Sequence, residues 1–263
     1  MFARACSQNV LAKGLKQYRN EVKLIFNTYF LKSCIYMIMG SIFPGIKQKR
    51  NKILRKGSMY TEMLNNKLSD PEFLLKKEWI IQQIKFKLKL IDFELSKQHR
   101  RSMIQKVEHR IKDAESIARK LVKKGYKITF ENAYQKLNDI IGIRVVCLYR
   151  DDIYNIAGLL KQQKDMILIK EKDYIKNPKK SGYQSLHLIF DVPLTYKDTV
   201  EMQRVEIQIR TVAMDFWAGV DNHICYKKNP AKMKTAELAL KNYSTEISRM
   251  DKQMLELRKN AES

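Results

Sequence analysis

The chain has 263 residues, 44% hydrophobic and 10% aromatic, with 9 glycines and 5 prolines, which excludes overall disorder and any fibrous or low-complexity architecture. Lys and Arg number 51 against 28 Asp and Glu, a formal charge of +23 that favours polyanionic partners such as nucleotides, nucleic acid (possible RNA binding) or an acidic membrane surface. Cys6, Cys34, Cys147 and Cys225 stand far apart with no CxxC pair, so neither a zinc ribbon nor a disulfide framework is indicated and a reducing, cytoplasmic setting fits.

Residues 1–58 carry 12 Lys and Arg and a single acid, Glu21. Their apolar run, Phe30 to Phe43, is broken by Lys32 and Ser33 and is too short to span a bilayer comfortably. The following SIFPGIKQ offers no clean cleavage site. Three readings stand for this basic extension: an appendage or upstream sequence ahead of a start at Met59, a membrane-surface amphipathic element, or an extra docking helix. No site and no stable membrane insertion are expected in it.

From Trp79 a long helix is predicted, with Ile81, Ile84, Leu88, Ile91 and Leu95 on one face. A polar stretch, Lys97 to Arg110, leads to a second helix over Asp113 to Lys124 that stops at Gly125. Strands are predicted over Ile140–Tyr149, Met166–Glu171, Ser185–Val192 and Val200–Thr211, the first apolar enough to be central. A helix over Asp151–Lys164, capped by Asp151 or Asp152, joins the first two strands. The fold class is therefore α/β, a mixed sheet flanked by helices, with the main domain at 59–230 and a helical segment at 231–263. In that segment Met233, Ala236, Leu240, Tyr243, Ile247, Met250, Met254 and Leu257 form a heptad seam, suited to packing within the subunit, to oligomer contact, or to both.

Four segments point to chemistry. In EMQRVEIQIRT, alternation puts Val205, Ile207 and Ile209 on one face and Glu206, Gln208 and Arg210 on the other. Asp139 stands at the mouth of the apolar strand and Arg144 lies within it, where a charge needs a partner. Together Asp139 and Glu206 suit Mg2+, which takes one or two carboxylates plus phosphate oxygens. Around RIKDAESIARKLVKKG, Arg110, Lys112, Ser116, Lys120 and Lys123 precede or line a helix start, a surface fit for phosphates. The loop KEKDYIKNPKKSGYQSLH combines Lys170, Lys172, Lys176, Lys179 and Lys180 with Tyr174, Tyr183 and His187, suited to a stacked base and clamped phosphates. A Walker loop, a GxGxxG turn, an HExxH helix and a GxSxG elbow are all missing from the sequence.

Taken together, RIKDAESIARKL, NDIIGIRVVC, KDYIKNPKKSGYQSLH and VEIQIRTVAMDFWA resemble the RelA/SpoT-type alarmone synthetases, specifically the small single-domain RelQ/RelP-like members. The resemblance runs from about Trp79 to Lys228, with a weaker echo to Arg258. It implies a nucleotidyltransferase-like fold, cytoplasmic location, homotetramers through terminal helices, and Mg2+-dependent transfer of the β,γ-pyrophosphate of ATP to the 3′-hydroxyl of GTP or GDP. The product is (p)ppGpp, the signal of the stringent response, released with AMP. Carried over to this sequence, Asp139 holds the metal, Glu206 is the general base and touches the metal, and Arg110 and Arg144 sandwich adenine. Lys112, Ser116, Lys120 and Lys123 grip the ATP phosphates. Tyr183 stacks on guanine, Lys172, Lys179 and His187 meet the acceptor phosphates, and Gln208 positions the nucleotide. Departures at Ser181, at Lys123 and in GVDNHICYK bear on acceptor preference and rate. Lacking a His-Asp dipeptide, the chain is expected to synthesise without hydrolysing. The rival readings are a tRNA 3′-end pyrophosphokinase toxin of the broader family and a non-catalytic RNA-binding module.

Overall fold

A computed structural model describes residues 59–226 and 230–262. The apolar run in the basic extension lies outside them. The helices and strands are α1 (Pro71–His99), β1 (Ile104–Ile111), α2 (Ala114–Lys123), α3 (Phe130–Lys136), β2 (Ile141–Cys147), α4 (Arg150–Lys161), β3 (Ile167–Asp173), β4 (Leu186–Tyr196), β5 (Thr199–Thr211), α5 (Val212–Tyr226) and α6 (Pro230–Glu262). Residues 59–68 are also helical.

Helix α1 begins where Asp70 accepts a hydrogen bond from the Phe73 N–H at 3.0 Å with Pro71 in the first turn, and it ends at Arg100, whose φ is 53°. Its predicted stripe is buried, Ile81, Ile84, Leu88, Ile91 and Leu95 together with Ile80 and Lys77. Full burial of each large aliphatic side chain contributes about 1.5–3 kcal/mol. Asp92 on α1 then accepts from the N–H groups of Met103 and Ile104 at 2.8 and 2.9 Å, fixing the entry into β1.

The five strands run in the order β1-β2-β5-β4-β3. Only β2 and β5 pair in parallel; the other three pairs are antiparallel. The strand expected to be central, β2, is interior, but the middle position belongs to β5. The β2-α4-β3 connection carries the chain from β2 to the far edge, leaving room for β5 and β4 between. Among the described residues, four elements were not predicted from the sequence: the helix over 59–68, α5, β1 and α3. The polar stretch before Arg110 is strand β1, an edge strand whose outer positions need no apolar side chains, and α3, only 7 residues long, was too short to show a period.

One face of the sheet, built from Ile141, Ile143, Val145, Leu186, Leu188, Phe190, Val205, Ile207 and Ile209, forms the main core with α1 and α4. A second cluster joins residues 59–68 to α2 and α3 through Leu64, Leu68, Ile117, Leu121, Ala133 and Leu137. Helix α6 packs on α5 and α4. Of its heptad seam, Leu240 is buried and Ile247 packs beside it, whereas Tyr243, Met250, Met254 and Leu257 are exposed.

Candidate active site

Strand register assembles the site. With Ile207 and Ile209 committed to the core, the intervening residues of every strand face the other way. One rung across the sheet reads Glu108, Arg144, Gln208, His187, Lys172, and the next reads Arg110, Gly142, Glu206, Ile189. Residues up to 64 positions apart in sequence, such as Arg144 and Gln208, thereby become lateral neighbours.

Glu206 is mostly buried, and both of its oxygens are engaged: Oε1 lies 3.1 Å from His187 Nδ1, and Oε2 accepts from Gln208 Nε2 at 2.8 Å. Burial alone would raise its pKa, but the hydrogen bonds from His187 and Gln208 outweigh it and hold the carboxyl below its ordinary range. The Asp139 charge works in the opposite sense on Glu206, which makes the two acids electrostatic neighbours. The donor chain is continuous. Arg210 Nη2 donates to Tyr183 Oη at 3.0 Å, and Tyr183 Oη lies 2.8 Å from His187 Nε2. His187 thus bridges Tyr183 and Glu206 through its two ring nitrogens.

Asp139 is 6% exposed at the mouth of β2. Its Oδ2 is bonded by Lys112 Nζ and lies 2.7 Å from Lys120 Nζ. Burial opposes its ionisation, but the two lysines win and its pKa is lowered. Oδ1 is buried and has no hydrogen-bond partner among the described residues. An orphaned carboxylate oxygen beside a second carboxylate is a fitting ligand set for a hard divalent cation.

Lys112 and Lys120 thus meet Asp139 directly. Lys112 is anchored by its backbone N–H on the Ile140 carbonyl at 2.9 Å, and burial lowers its pKa against the pull of Asp139. Helix α2 starts as expected, with Asp113 accepting from the Ser116 N–H at 2.7 Å. Ser116 Oγ accepts from Arg119 at 2.9 Å, and Lys123 is exposed at the last turn. Arg110 lies across from Gly142, its Cγ 3.5 Å from where a Cβ would stand. Arg144 is oriented by Glu108 at 3.1 Å and Asp215 at 3.4 Å. Arg110 and Arg144 are two rungs apart on adjacent strands, about 7 Å along the strand direction.

Beyond His187 the loop before β4 adds Tyr174 and Tyr183, whose rings meet edge to face at 6.0 Å. Lys179 Nζ lies 4.3 Å from the Tyr183 ring centroid and 4.7 Å from that of Tyr174. Its pKa is lowered, chiefly by burial and also by Lys172, Arg210 and Lys120, with Glu206 opposing.

Asp139, Glu206, Lys112, Lys120, Arg110, Arg144, Lys172, Lys179, Tyr183, His187 and Gln208 fall on this face or its rim, whereas Ser116 bonds within its own helix and cap and Lys123 is exposed at the end of α2. Arg210, Asp215 and Glu108 were not anticipated as site residues. Arg210 is 2% exposed and bonds Tyr183, Gln208 at 2.7 Å and Asp215 at 3.2 Å. The alternation that selected Glu206 and Gln208 already placed Arg210 beside them; Asp215, on the following helix, had no sequence signal. Among the described residues, no group of three or more His, Cys, Asp and Glu forms a metal cluster, and no helix is long and apolar enough to cross a membrane.

Known proteins share this sequence and fold. The family described as "Region found in RelA / SpoT proteins" matches residues 109–231. The GTP pyrophosphokinase YwaC of Bacillus subtilis is 38% identical over 189 residues, covering 72% of this chain and 90% of that protein. The GTP pyrophosphokinase YjbM of the same organism is 33% identical over 186 residues, covering 71% and 87%. The crystal structure of small alarmone synthetase 1 from Bacillus subtilis, bound to its product pppGpp, superposes with a TM-score of 0.66 at 32% identity, covering 73% of this chain and 97% of that one. With relatives matched over nearly their full length, the chain belongs to the RelA/SpoT family, among its small GTP pyrophosphokinases.

Proposed function

We propose that this face transfers the β,γ-pyrophosphate of ATP to the 3′-hydroxyl of GTP or GDP, giving (p)ppGpp and AMP in the stringent response. The observation that carries the reading is the pairing of an ionised, doubly hydrogen-bonded Glu206 with Asp139, whose Oδ1 is unpartnered, within a ring of arginine and lysine. The names of the close relatives and the product-bound neighbour support it.

The acceptor 3′-oxygen attacks the β-phosphorus of ATP and the bond from that phosphorus to the α,β-bridging oxygen breaks, so AMP leaves. Glu206 takes the hydroxyl proton. A carboxylate kept ionised despite burial is the correct form for this step. His187 and Gln208 orient its oxygens. Mg2+ would be held by Asp139 Oδ1 with Glu206 beside it, and when bound it would neutralise charge on the ATP phosphates.

Lys112 and Lys120 would meet those phosphates, and Ser116 and Lys123 would extend the contact along α2. The gap between Arg110 and Arg144 suits a purine stacked between two guanidinium planes, a contact lysine cannot reproduce. On the acceptor side guanine takes the Tyr183 ring face that Lys179 now covers, while Lys179, Lys172 and His187 meet acceptor phosphates. The exposed Tyr243, Met250, Met254 and Leu257 on α6, with Leu75, Trp79, Phe86, Leu90 and Phe93 on α1, support assembly into a homotetramer through terminal helices. The cysteine pattern supports a cytoplasmic setting.

Incubation with Mg2+, ATP and GDP or GTP, followed by anion exchange, tests the reaction. Guanosine tetra- or pentaphosphate and AMP are expected in equal amounts. Glu206→Gln lowers kcat by about 10²–10⁴. ATP consumed only when tRNA is supplied would reject the acceptor assignment.

A further inference from the structure

The reaction assigns no role to α6, yet the inner face of this helix lies flush against the loop that presents Tyr183. Gly182 has φ +96°, and a Cβ there would stand 2.7 Å from Ser244 Cβ and 3.4 Å from Lys241 Cα. The backbone of the loop therefore touches the helix where only glycine fits. Ser244, 4% exposed, donates its hydroxyl to the Gly182 carbonyl and accepts from Gln184 Nε2 at 3.3 Å. Gln184 Oε1 accepts in turn from Ser248 Oγ at 3.4 Å, and Arg150 Nη1 donates to Ser248 Oγ at 2.9 Å. The residues on either side of Tyr183 are thus both bonded to α6.

Tyr183 itself packs in a small cluster with Trp217, Leu240 and Ile247, and Trp217 Nε1 donates to the Leu240 carbonyl at 2.8 Å. Leu240, Ser244, Ile247, Ser248 and Asp251 recur at helical spacings of three and four, and Asp251 accepts from Thr211 at the end of β5 at 3.0 Å. One helix face therefore braces both the acceptor loop and the strand carrying Glu206. A hydroxyl buried at this point is costly unless both of its bonding capacities are used. Here it both donates and accepts.

We propose that Ser244 is a positioning residue of the acceptor site: through it α6 fixes the loop so that Tyr183 stays over His187, setting affinity for the guanine nucleotide without touching it. This rests on the acceptor reading given above. Tyr183 is tied to Glu206 through His187, so a loose loop weakens acceptor binding first. Among the described residues, no hydrogen bond links the ATP side, built on α2, β1 and β2, to α6.

Initial rates of AMP formation by the full chain, varying each substrate at saturating partner, test this. Ser244→Ala keeps the Cβ and deletes both bonds. Its acceptor KM should rise about fivefold or more, the equivalent of one buried hydrogen bond of about 1 kcal/mol, with the ATP KM unchanged. Ser244→Thr keeps the hydroxyl and should recover part of the loss, and Ser244→Cys, whose thiol is only a weak donor and acceptor, gives a second reading should the alanine variant unfold. Gly182→Ala, which forces loop and helix apart, should raise the acceptor KM further. Both KM values unchanged, or both rising together, would overturn the proposal while leaving the reaction intact. A wild-type chain that forms no acceptor-dependent AMP would overturn both.

Discussion

Asp152 offers the most demanding test of the architecture. It is fully buried at the start of α4 and accepts a bidentate fork from Arg101, at 3.0 and 2.6 Å, and a hydrogen bond from the Tyr149 N–H at 3.2 Å. Arg258 near the end of α6 approaches it at 3.8 Å, and the guanidinium carbons of Arg101 and Arg258 lie 4.9 and 4.8 Å from the Tyr149 ring centroid. Arg258 has an independent partner in Asp151 at 2.6 Å. Arg101 has only Glu262, at 4.0 Å, among the described acids. Asp152→Ala therefore leaves a half-buried cation with only a distant partner and removes a fully buried acceptor; breaking a buried pair costs about 3–5 kcal/mol, which is the upper end here. For a chain of this size that is a fall in Tm of about 6–20 °C. Calorimetry at fixed protein concentration measures it, since assembly would make Tm concentration-dependent. Asp152→Asn, which keeps an acceptor, should fall between, and Arg258→Met should cost less than Asp152→Ala because Asp152 retains the Arg101 fork. A loss below about 1 kcal/mol for Asp152→Ala, the worth of a solvated pair, would refute the view that this cluster anchors α6.

Two pH-dependent predictions follow from named groups. Burial pushes the Glu206 pKa up while His187 and Gln208 pull it down and prevail, so activity is lost only as pH falls through a value below the usual carboxylate range. His187→Phe leaves burial opposed by Gln208 alone, so the acid limb of kcat should move to higher pH; a limb that is unmoved, or moves lower, refutes the assignment. Lys77 on α1 is 3% exposed, bonded to Gln203, with Nζ 4.5 Å from the Phe73 ring centroid and 4.9 Å from that of Tyr134. Burial lowers its pKa to about 8. Between that value and its unfolded pKa the unfolded chain binds more protons, so stability rises with pH across the window, by up to about 3 kcal/mol. Denaturant titrations of Lys77→Met from pH 7 to pH 10.5 should lack this rise; a difference curve that is flat would contradict it.

The parts of the fold legible in the sequence are those where one face had to be apolar. The stripe of α1, the alternation of β5 and the buried run of β2 announce themselves because each residue's partner is simply the interior. What stayed hidden depends on a specific neighbour. Strand β1 reads as a polar stretch because Lys106, Glu108 and Arg110 face the site and not the core, and their side chains make sense only beside Arg144 and Gly142. The same holds for α6. Its heptad reading selected Leu240 and Ile247 and passed over Ser244, Ser248 and Asp251, which a periodicity rule assigns to solvent although Ser244 and Asp251 are buried.

The two kinds of residue are complementary in origin. Committing Ile207 and Ile209 to the core forces Glu206, Gln208 and Arg210 onto a single opposite face, whatever their chemistry. A shift of β5 by one residue would bury all three charges and polar groups and expose the isoleucines, so the apolar face fixes the catalytic register to one residue. Along the strand Glu206 feels the Asp139 charge, Gln208 pairs with His187, and Arg210 bonds Tyr183 and Asp215. An Arg210→Leu substitution, apolar and β-compatible, would keep the strand but strip Tyr183 and Gln208 of a common donor, and it should loosen acceptor binding more than ATP binding.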